Sequence, residues 1–333
     1  MRPAGRVLGV VGSLVWDTIH RHDEVPREAI QEWGGIGYAL EALSASLPSE
    51  WTVRPLLKVG EDLAGEALEF LDRIPRTQIG GWIQVVRKPT TRVELHYRDG
   101  VRKGERLSGG PDPWRWSELE PRVQGCDALY VNFITGFEME LETATLLREH
   151  FRGPMYADLH SLFLGLGARG DRIPRPLPNW TRWLQAFDAV QMNDSEFSLL
   201  AGKAGDPWAL AARLVGPELP LMTVTLEDRG AAYVATAGFD PDPESWPRLR
   251  ERMALPGPAR SGLVSQEGGV REGDSTGCGD VWGATTFARL LAGDPLEEAM
   301  GRANRMAARN VEYRGARGLG HHLAGRLDSG EGL

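Results

Sequence analysis

The sequence predicts an α/β fold in which helices cover both faces of a mainly parallel central sheet, with a small β lid beside it. Residues 6–16 are apolar and β-branched, which is typical of a buried central strand. Residues 91–107 alternate apolar and polar side chains around an Asp99-Gly100 turn, as expected of a hairpin with one apolar face. From residue 127 onward, apolar strands alternate with helical stretches, which indicates a parallel sheet.

The individual elements follow in an order that suits this fold. Apolar runs of strand length are expected at 53–59, 128–133, 155–158, 189–192, 221–226 and 231–235. Longer periodic stretches predict helices at 38–47, 64–74, 140–152, 180–187, 195–201, 207–214, 280–291 and 296–313. Residues 237–272 are rich in proline, and we expect them to be the least structured part. We interpret 1–333 as a single domain whose lid comes from about 16–35 and 88–108.

The bulk composition limits the classes of function. A chain of 333 residues that is 41% hydrophobic can bury a large core. The formal net charge of -8 argues against a nucleic-acid partner, which requires basic surface to neutralise phosphates. The 2 cysteines, Cys126 and Cys278, exclude a disulfide framework. The amino-terminal apolar run is half a membrane span and lacks a cleavage site, so we expect a cytoplasmic protein with no membrane partner.

The most informative segment is Asp274-Ser275-Thr276-Gly277-Cys278-Gly279-Asp280, which precedes an apolar helix. Amide groups at a helix start form an anion cradle, to which the helix dipole adds partial positive charge. Gly277 and Gly279 allow a ligand to approach the backbone closely. A carboxylate at Asp280 suits a general base that accepts a proton while the cradle holds a phosphoryl group. The alternative is an aspartate that only caps the helix after a glycine turn.

This segment resembles the carboxyl-terminal signature of the ribokinase-like (PfkB) carbohydrate kinase family, usually Asp-Thr-Thr-Gly-Ala-Gly-Asp. Five further stretches are similar to motifs of that family and occur in the family's order. They are Gly12-Ser13-Leu14-Val15-Trp16-Asp17, Gly34-Gly35, Val59-Gly60-Glu61-Asp62-Leu63-Ala64-Gly65, Asn193-Asp194-Ser195-Glu196 and Thr223-Val224-Thr225-Leu226-Glu227-Asp228-Arg229-Gly230, and Asn304 falls where the family often has an adenine-proximal Asn. Ordered matches along nearly the whole chain are far more specific than any single motif.

The resemblance implies phosphoryl transfer from ATP to a hydroxyl of a sugar or a sugar-like small molecule. Asp280 would be the catalytic base. The amides of Gly277, Cys278 and Gly279 would form the anion hole that stabilises charge on the γ-phosphoryl oxygens. Chemistry of this kind depends mostly on positioning and electrostatics, so the backbone shape of this segment matters more than its side chains.

The resemblance also assigns binding roles. The substrate-binding residues would be Asp17, Gly34 and Gly35, and the nucleotide-binding residues would be Asn193, Thr225, Gly230 and Asn304. Asn193 and Glu196 would orient Mg²⁺ through water, because this ion prefers oxygen ligands and retains water. The same pair also fits a helix-capping pattern, and the two roles can coexist. The resemblance further allows a K⁺ site near Asp274 and the Gly315-Ala316 turn.

Departures from the family pattern concern the acceptor and the anion hole. The family often has Asn where this chain has Ala39, and Tyr38 adds bulk beside it, so a polar substrate contact is missing. The acceptor is therefore left open between a sugar, a sugar acid and a nucleoside, and a non-catalytic sugar or nucleotide sensor is an alternative. Cys278 stands where the family usually has Ala. It is either small filler or, at a helix start, a thiol with a lowered pKa.

Several other patterns are less specific. Residues 165–170 fit a dinucleotide fingerprint, but prolines follow at 174, 176 and 178, so no helix can start there. Residues 158–161 end a predicted strand, where they either shape a ligand site or cap a turn. Exposed strand edges of the lid make it a candidate surface for a homodimer. Candidates for stacking on a ring-shaped substrate are Trp16, Trp33 and Trp82.

Overall fold

The computed structural model describes residues 5–21, 29–98, 101–202, 205–251, 257–268, 271 and 273–326. The strands are β1 Arg6–Val11, β2 Leu14–Arg21, β3 Ile30–Gly35, β4 Trp51–Gly60, β5 Ile83–Val86, β6 Arg92–Arg98, β7 Val101–Ser108, β8 Ala128–Asn132, β9 Met155–Asp158, β10 Leu164–Leu166, β11 Arg172–Pro174, β12 Ala189–Asn193, β13 Leu221–Thr225, β14 Ala231–Ala235 and β15 Arg260–Val264. The helices are α1 Ile36–Ser46, α2 Ala64–Asp72, α3 Trp116–Val123, α4 Leu141–His150, α5 Trp180–Gln185, α6 Asp194–Ala201, α7 Pro207–Leu214, α8 Trp246–Leu249, α9 Cys278–Leu291, α10 Leu296–Asn310 and α11 Leu319–Leu323. Within these described ranges, no helix has the length and apolar character that a membrane crossing requires.

The body of the protein is a nine-stranded sheet in the order β15-β14-β13-β12-β9-β8-β1-β4-β5. Neighbouring strands from β13 to β5 pair in parallel, whereas β13–β14 and β14–β15 pair antiparallel. Side chains alternate between two cores, so that Tyr130 packs with α1, α2, α9 and α10, while Val131 packs with α3 to α7. The predicted α/β class, with helices on both faces of a mainly parallel sheet, is therefore confirmed.

A separate four-stranded sheet, which we call the lid sheet, has the order β3-β2-β6-β7. Its strands come from the chain segments that were predicted to form a lid, although the Asp99-Gly100 turn lies outside the described residues. Strand β2 pairs antiparallel with β3 and parallel with β6. It therefore connects β3 with the hairpin formed by β6 and β7. A small buried core covers one face of this sheet and contains Val15, Ile19, Val93, Leu95 and Tyr97.

The structure divides the strand predicted at 6–16 into two strands that belong to different sheets. The chain leaves the central sheet at Gly12-Ser13 and enters the lid sheet at Leu14. A side chain at Gly12 would lie 2.6 Å from Cδ1 of Ile36, and the carbonyl of Ser13 accepts the amide hydrogen of Ile36. The single-strand prediction is wrong because both halves are apolar and buried, so hydropathy does not reveal the break between them.

A hairpin formed by β10 and β11 covers part of the outer edge of the lid sheet. It contains the glycine-rich segment 165–170, and no helix starts there, as predicted. The carbonyl of Gly170 accepts the amide hydrogen of Leu107 in β7 at 2.9 Å, and Arg172 lies 3.8 Å from Glu105 of the same strand. Because the hairpin occupies this stretch of the edge, a second copy would have to add a strand elsewhere. A homodimer through the lid stays a prediction.

Residues 237–272 contain more regular structure than the sequence predicts. The helix α8 lies within them, and β15 completes the central sheet by pairing antiparallel with β14. The prolines of this region lie outside β15, so they do not interrupt its hydrogen-bonded ladder. Because prolines are numerous in this region, the sequence did not indicate the short strand β15, whose side chains are exposed or only partly buried.

Replacing Gly170 with Ala tests whether the hairpin stabilises the fold through β7. Gly170 has a φ of +87°, and a Cβ there would lie 2.3 Å from the carbonyl oxygen of Leu107. We expect Gly170→Ala to lower the free energy of unfolding by about 3 kcal/mol in urea denaturation, because backbone strain and a steric collision combine. Gly293→Ala is the matched control, because Gly293 has the same φ of +87° with nothing nearby, and it should cost about 1 kcal/mol. Equal losses would show that the hairpin contact contributes nothing.

Candidate active site

The segment 274–280 lies at the carboxyl edge of the central sheet, where α9 begins. Gly277 precedes the helix with a φ of 77°, and a Cβ at this position would lie 2.3 Å from the ring of Tyr38. Only glycine therefore fits between the tyrosine ring and the helix start. Asp280 lies in the first helical turn, as the sequence predicts.

The amides at this helix start differ in their availability to an anion. The amide of Cys278 donates to the carbonyl of Ser275 at 3.2 Å. Across the part of the chain that the structure describes, the amides of Gly277 and Gly279 donate to no backbone carbonyl. These two amides and the helix dipole concentrate positive potential in front of the helix. Three residues were predicted to form the anion hole. The amide of Cys278 is hydrogen-bonded within the turn, whereas the amides of Gly277 and Gly279 are not.

Asp280 is held by a residue that sequence reasoning missed. Nδ2 of Asn132 donates to Oδ1 of Asp280 at 2.7 Å. Asn132 is the last residue of β8 and is fully buried. The one signal in the sequence was an asparagine at the end of an otherwise apolar strand, because a buried polar side chain requires a hydrogen-bond partner.

Two further polar residues, Asp158 on β9 and Gln191 on β12, hold the start of α9 against the edge of the sheet. Nε2 of Gln191 donates to Oδ2 of Asp158 and to the carbonyl of Gly279, each at 3.0 Å. The strand register places Asn132, Asp158 and Gln191 side by side on adjacent strands. A side chain at Gly283 would lie 2.0 Å from Oε1 of Gln191, so the close approach of helix and sheet requires glycine there.

Residues 158–161 both shape this edge and cap a turn. Oδ1 of Asp158 accepts the amide hydrogen of His160 at 3.0 Å, and the ring of His160 contacts the carboxylate of Glu196. Glu196 and Asn193 form the capping box of α6, with Asn193 Oδ1 accepting from the Glu196 amide at 2.9 Å. The capping interpretation of this pair is confirmed, and its role towards Mg²⁺ stays a prediction.

The lid sheet brings the predicted substrate residues towards the same helix start. Asp17 of β2 is buried, and a side chain at Gly34 would lie 1.8 Å from its Oδ2. Gly35, with a φ of 58°, turns the chain from β3 into α1. Tyr97 of β6 shares a hydrogen bond of 2.7 Å with Thr276, so the lid sheet contacts the segment 274–280 directly.

Tyr38 lies at the center of the site. Its ring packs on Gly277 and is almost fully buried. Burial raises the pKa of the Tyr38 phenol well above its usual value, and nearby carboxylates add to this effect through their charges. They are Glu32, Asp17, Asp274 and Asp280. The phenol of Tyr38 therefore lies near Asp17, the predicted substrate-binding carboxylate, and near Asp280, the predicted catalytic carboxylate. The adjacent Ala39 is buried and offers no polar group.

The predicted nucleotide-binding residues lie along the neighbouring part of the edge. Asn193 and Thr225 are register partners at the ends of β12 and β13. Gly230 has a φ of 97°, and a Cβ there would lie 2.2 Å from the carbonyl oxygen of Val264. Nδ2 of Asn304 donates to the same carbonyl at 2.9 Å. Gly230 and Asn304 therefore position the end of β15, which borders this part of the edge.

Cys278 is partly buried, and its thiol has a raised pKa. Burial raises this pKa to about 11. Its Sγ lies 3.3 Å from Nδ2 of Asn310 and 3.4 Å from the carbonyl oxygen of Ala307. The alternative of a thiol with a lowered pKa is wrong, because the side chain packs against α10 and away from water.

The tryptophan predictions fare differently. Trp33 is 2% exposed and packs edge to face with Trp16 at 4.9 Å, so its assignment to substrate stacking is wrong. The guanidinium of Arg54 lies 3.9 Å from the ring centroid of Trp82. Trp16 and Trp82 are only partly buried, so their role in stacking on a ring-shaped substrate stays a prediction.

Comparison with known proteins finds the same fold in kinases. No protein-family model and no curated protein matches the chain significantly. A ribokinase from Thermotoga maritima matches with a TM-score of 0.69 at 18% identity, over 97% of this chain and 100% of that one. An adenosine kinase from Sinorhizobium meliloti has a TM-score of 0.69 at 18% identity, with coverage of 97% and 98%. An Arabidopsis thaliana ribokinase complexed with ribose and ATP has a TM-score of 0.67 at 17% identity, with coverage of 98% and 100%.

The pKa of Asp158 predicts a pH-dependent stability. Burial, and then the charge of Asp280, raises this pKa from 3.8 to about 8. Between these values the native state keeps a proton that the unfolded state has released, so this group lowers stability as pH rises. We expect Asp158→Asn to lose that slope when urea unfolding is measured between about pH 5 and 8. The exposed Asp72→Asn should keep it, and an unchanged slope in Asp158→Asn would contradict a neutral Asp158.

Proposed function

We propose a function for this chain that starts from its ribokinase-like fold. We propose that the protein is an ATP-dependent kinase that transfers a phosphoryl group to a hydroxyl of a sugar or a sugar-like small molecule. The observation that carries the proposal is the Asp280 carboxylate, which Asn132 holds at a helix start beside the amides of Gly277 and Gly279. The family motifs, which occur in order along the chain, support the same chemistry.

Asp280 would act as the general base. It would accept the proton of the acceptor hydroxyl while the hydroxyl oxygen attacks phosphorus. The hydrogen bond from Asn132 orients the carboxylate before substrate arrives, because Asn132 is itself fixed in a buried strand. Burial and the charge of Asp280 raise the pKa of Asp158 to about 8, which favours its neutral form at pH 7 and limits negative charge beside the base.

The helix start would stabilise charge on the transferring group. Amides of Gly277 and Gly279 would donate to the phosphoryl oxygens, and the dipole of α9 would add to their effect. Cys278 belongs to the same proposed anion hole, but its amide is shared with the carbonyl of Ser275. Stabilisation therefore rests mainly on the two glycine amides.

The donor site would combine ATP and Mg²⁺. The Arabidopsis ribokinase of the same fold is complexed with ATP, which supports this donor for the present chain. Thr225, Gly230 and Asn304 would border the nucleotide. Asn193 and Glu196 offer an amide and a carboxylate, which fit an ion that keeps its waters and binds chiefly to phosphates. When bound, Mg²⁺ would neutralise phosphate charge during transfer.

A monovalent cation would bind beside the donor site. Asp274 already accepts hydrogen bonds from the amide and hydroxyl of Thr276, at 2.9 and 2.6 Å. The carbonyls of the Gly315-Ala316 turn would complete a K⁺ site. Such an ion would stiffen the loop that leads into the helix start.

The acceptor would lie under the lid sheet. Asp17 would bind its hydroxyl groups, while Gly34 and Gly35 allow close approach to the backbone. Closure of the lid would exclude water and limit hydrolysis of ATP. A nucleoside kinase is the second candidate, because the adenosine kinase and the ribokinase match this chain equally well, each with a TM-score of 0.69.

The variant Asp280→Asn tests the proposed base. We expect turnover to fall by about 10²–10⁴-fold, because the amide cannot accept the proton, while ATP binding is largely kept. ADP release with a panel of sugars and nucleosides measures turnover, and calorimetry measures ATP binding. Asp72→Asn, which changes the same charge on an exposed part of α2, should retain wild-type activity. An Asp280→Asn protein with wild-type turnover would exclude this residue as the base.

The variant Glu196→Gln tests the Mg²⁺ role. We expect the Mg²⁺ concentration for half-maximal ADP release to rise by about 10-fold or more, because the carboxylate charge that orients the hydrated ion is lost. Glu66→Gln is the control, since Glu66 also lies in the first turn of a helix but is exposed on α2. If both variants keep the wild-type Mg²⁺ requirement, Glu196 serves only as a cap.

A further inference from the structure

A cavity of about 490 Å³ opens between the lid sheet and the carboxyl edge of the central sheet. Its volume lies in the range of small-molecule sites. Gly12, Ser13 and Lys58 line it, together with residues of the segment 135–138. The tip of the β10–β11 hairpin and the chain after β7 also contribute to the lining.

The lining of this cavity mixes apolar, polar and charged side chains. Leu107, Trp114, Phe137 and Leu166 contribute its large apolar groups. Phe137 is 41% exposed and Leu166 is 52% exposed, so both offer apolar surface on which a ligand can pack. The hydroxyls of Ser13, Thr91, Ser108 and Thr135 add a few polar groups.

Each of the four charged residues that line the cavity has a partner within the protein. Asp112 pairs with Lys88 at 2.6 Å, and the largely exposed Arg169 lies 3.8 Å from Asp171. Nζ of Lys58 donates to Glu118 Oε2 at 2.9 Å and to the carbonyl of Pro113 at 3.2 Å. The buried carboxylate of Glu138 accepts hydrogen bonds from Ser13, Thr135 and Gly136. The two buried charges of the cavity, Lys58 and Glu138, are therefore satisfied without a ligand, which favours an uncharged ligand.

This cavity lies close to the proposed base. Asn132, which holds Asp280, is followed three residues later by Thr135, which lines the cavity. A stretch of three residues spans at most about 10 Å even when fully extended. A molecule of nucleoside length can therefore place one hydroxyl at Asp280 and a distal ring in the cavity.

We propose that the cavity binds a flat, uncharged ring of the acceptor, so that the acceptor is an uncharged nucleoside-like molecule and not a free monosaccharide. The inference rests on the proposed kinase function. The ring packs on Leu166 and Phe137, while the sugar part lies under Asp17 and its hydroxyl reaches Asp280. A monosaccharide has no part that extends into the cavity, so it cannot pack on Leu166 and Phe137.

Adenosine and ribose form the pair of acceptors that tests this assignment, because adenosine carries the ring in place of the anomeric hydroxyl of ribose. In ADP release with ATP and Mg²⁺, we expect kcat/KM of the wild type to be at least about 10-fold higher for adenosine. Leu166→Asp should raise the KM for adenosine by about 10-fold with little change in kcat, and should leave ribose kinetics unchanged. Ile173→Asp is the control, because Ile173 is 54% exposed on the same hairpin but does not line the cavity.

The outcomes separate this inference from the kinase proposal. A wild-type preference for ribose, or equal adenosine KM values in Leu166→Asp and Ile173→Asp, overturns the cavity assignment while ADP release upholds the kinase. Calorimetry with adenosine alone provides the second readout. If adenosine binds, Leu166→Asp weakens that binding and no acceptor yields ADP, the kinase proposal fails and the cavity assignment stands.

Discussion

The rest of the site depends on how one helix start is seated on the carboxyl edge of the central sheet. Asn132 bonds to Asp280, Gln191 bonds to the carbonyl of Gly279, and Gly283 leaves room for the close approach. Loss of a partner would leave a buried polar group unpaired, at a cost of about 1–3 kcal/mol. The bonds that stabilise the helix on the sheet are therefore the bonds that orient the proposed base.

Two sets of hydrogen bonds connect the lid sheet and its neighbouring hairpin with the region around the start of α9. Tyr97 bonds to Thr276 immediately before the helix start. On the other side, Arg172 of the hairpin donates to the carbonyl of Ser161, whose amide donates to the carbonyl of Phe133 next to the end of β8. A displacement of the lid sheet must change both sets of contacts. Short chains of hydrogen bonds therefore connect the lid sheet with the candidate site.

Much of the fold and part of the site were predictable because the decisive motifs are local. The glycine before α9 and the capping pair Asn193 and Glu196 both lie where the sequence placed them. The break at Gly12-Ser13 was not predictable, since both flanking strands are apolar and buried. Nor was Asn132, because its partner is 148 residues away and no spacing rule connects them.

By itself, the sequence determined the periodicity of strands and helices, the left-handed glycine at 277 and the carboxylate in the first turn of α9. These features depend on residues within a few positions of one another, so local geometry and local charge settle them. Only the tertiary structure decided that Asn132 meets Asp280, that Tyr38 packs on Gly277 and that a cavity opens beside them. Those contacts join distant parts of the chain, and the burial they create changes energies, such as the proton affinity of Asp158, that no local pattern encodes.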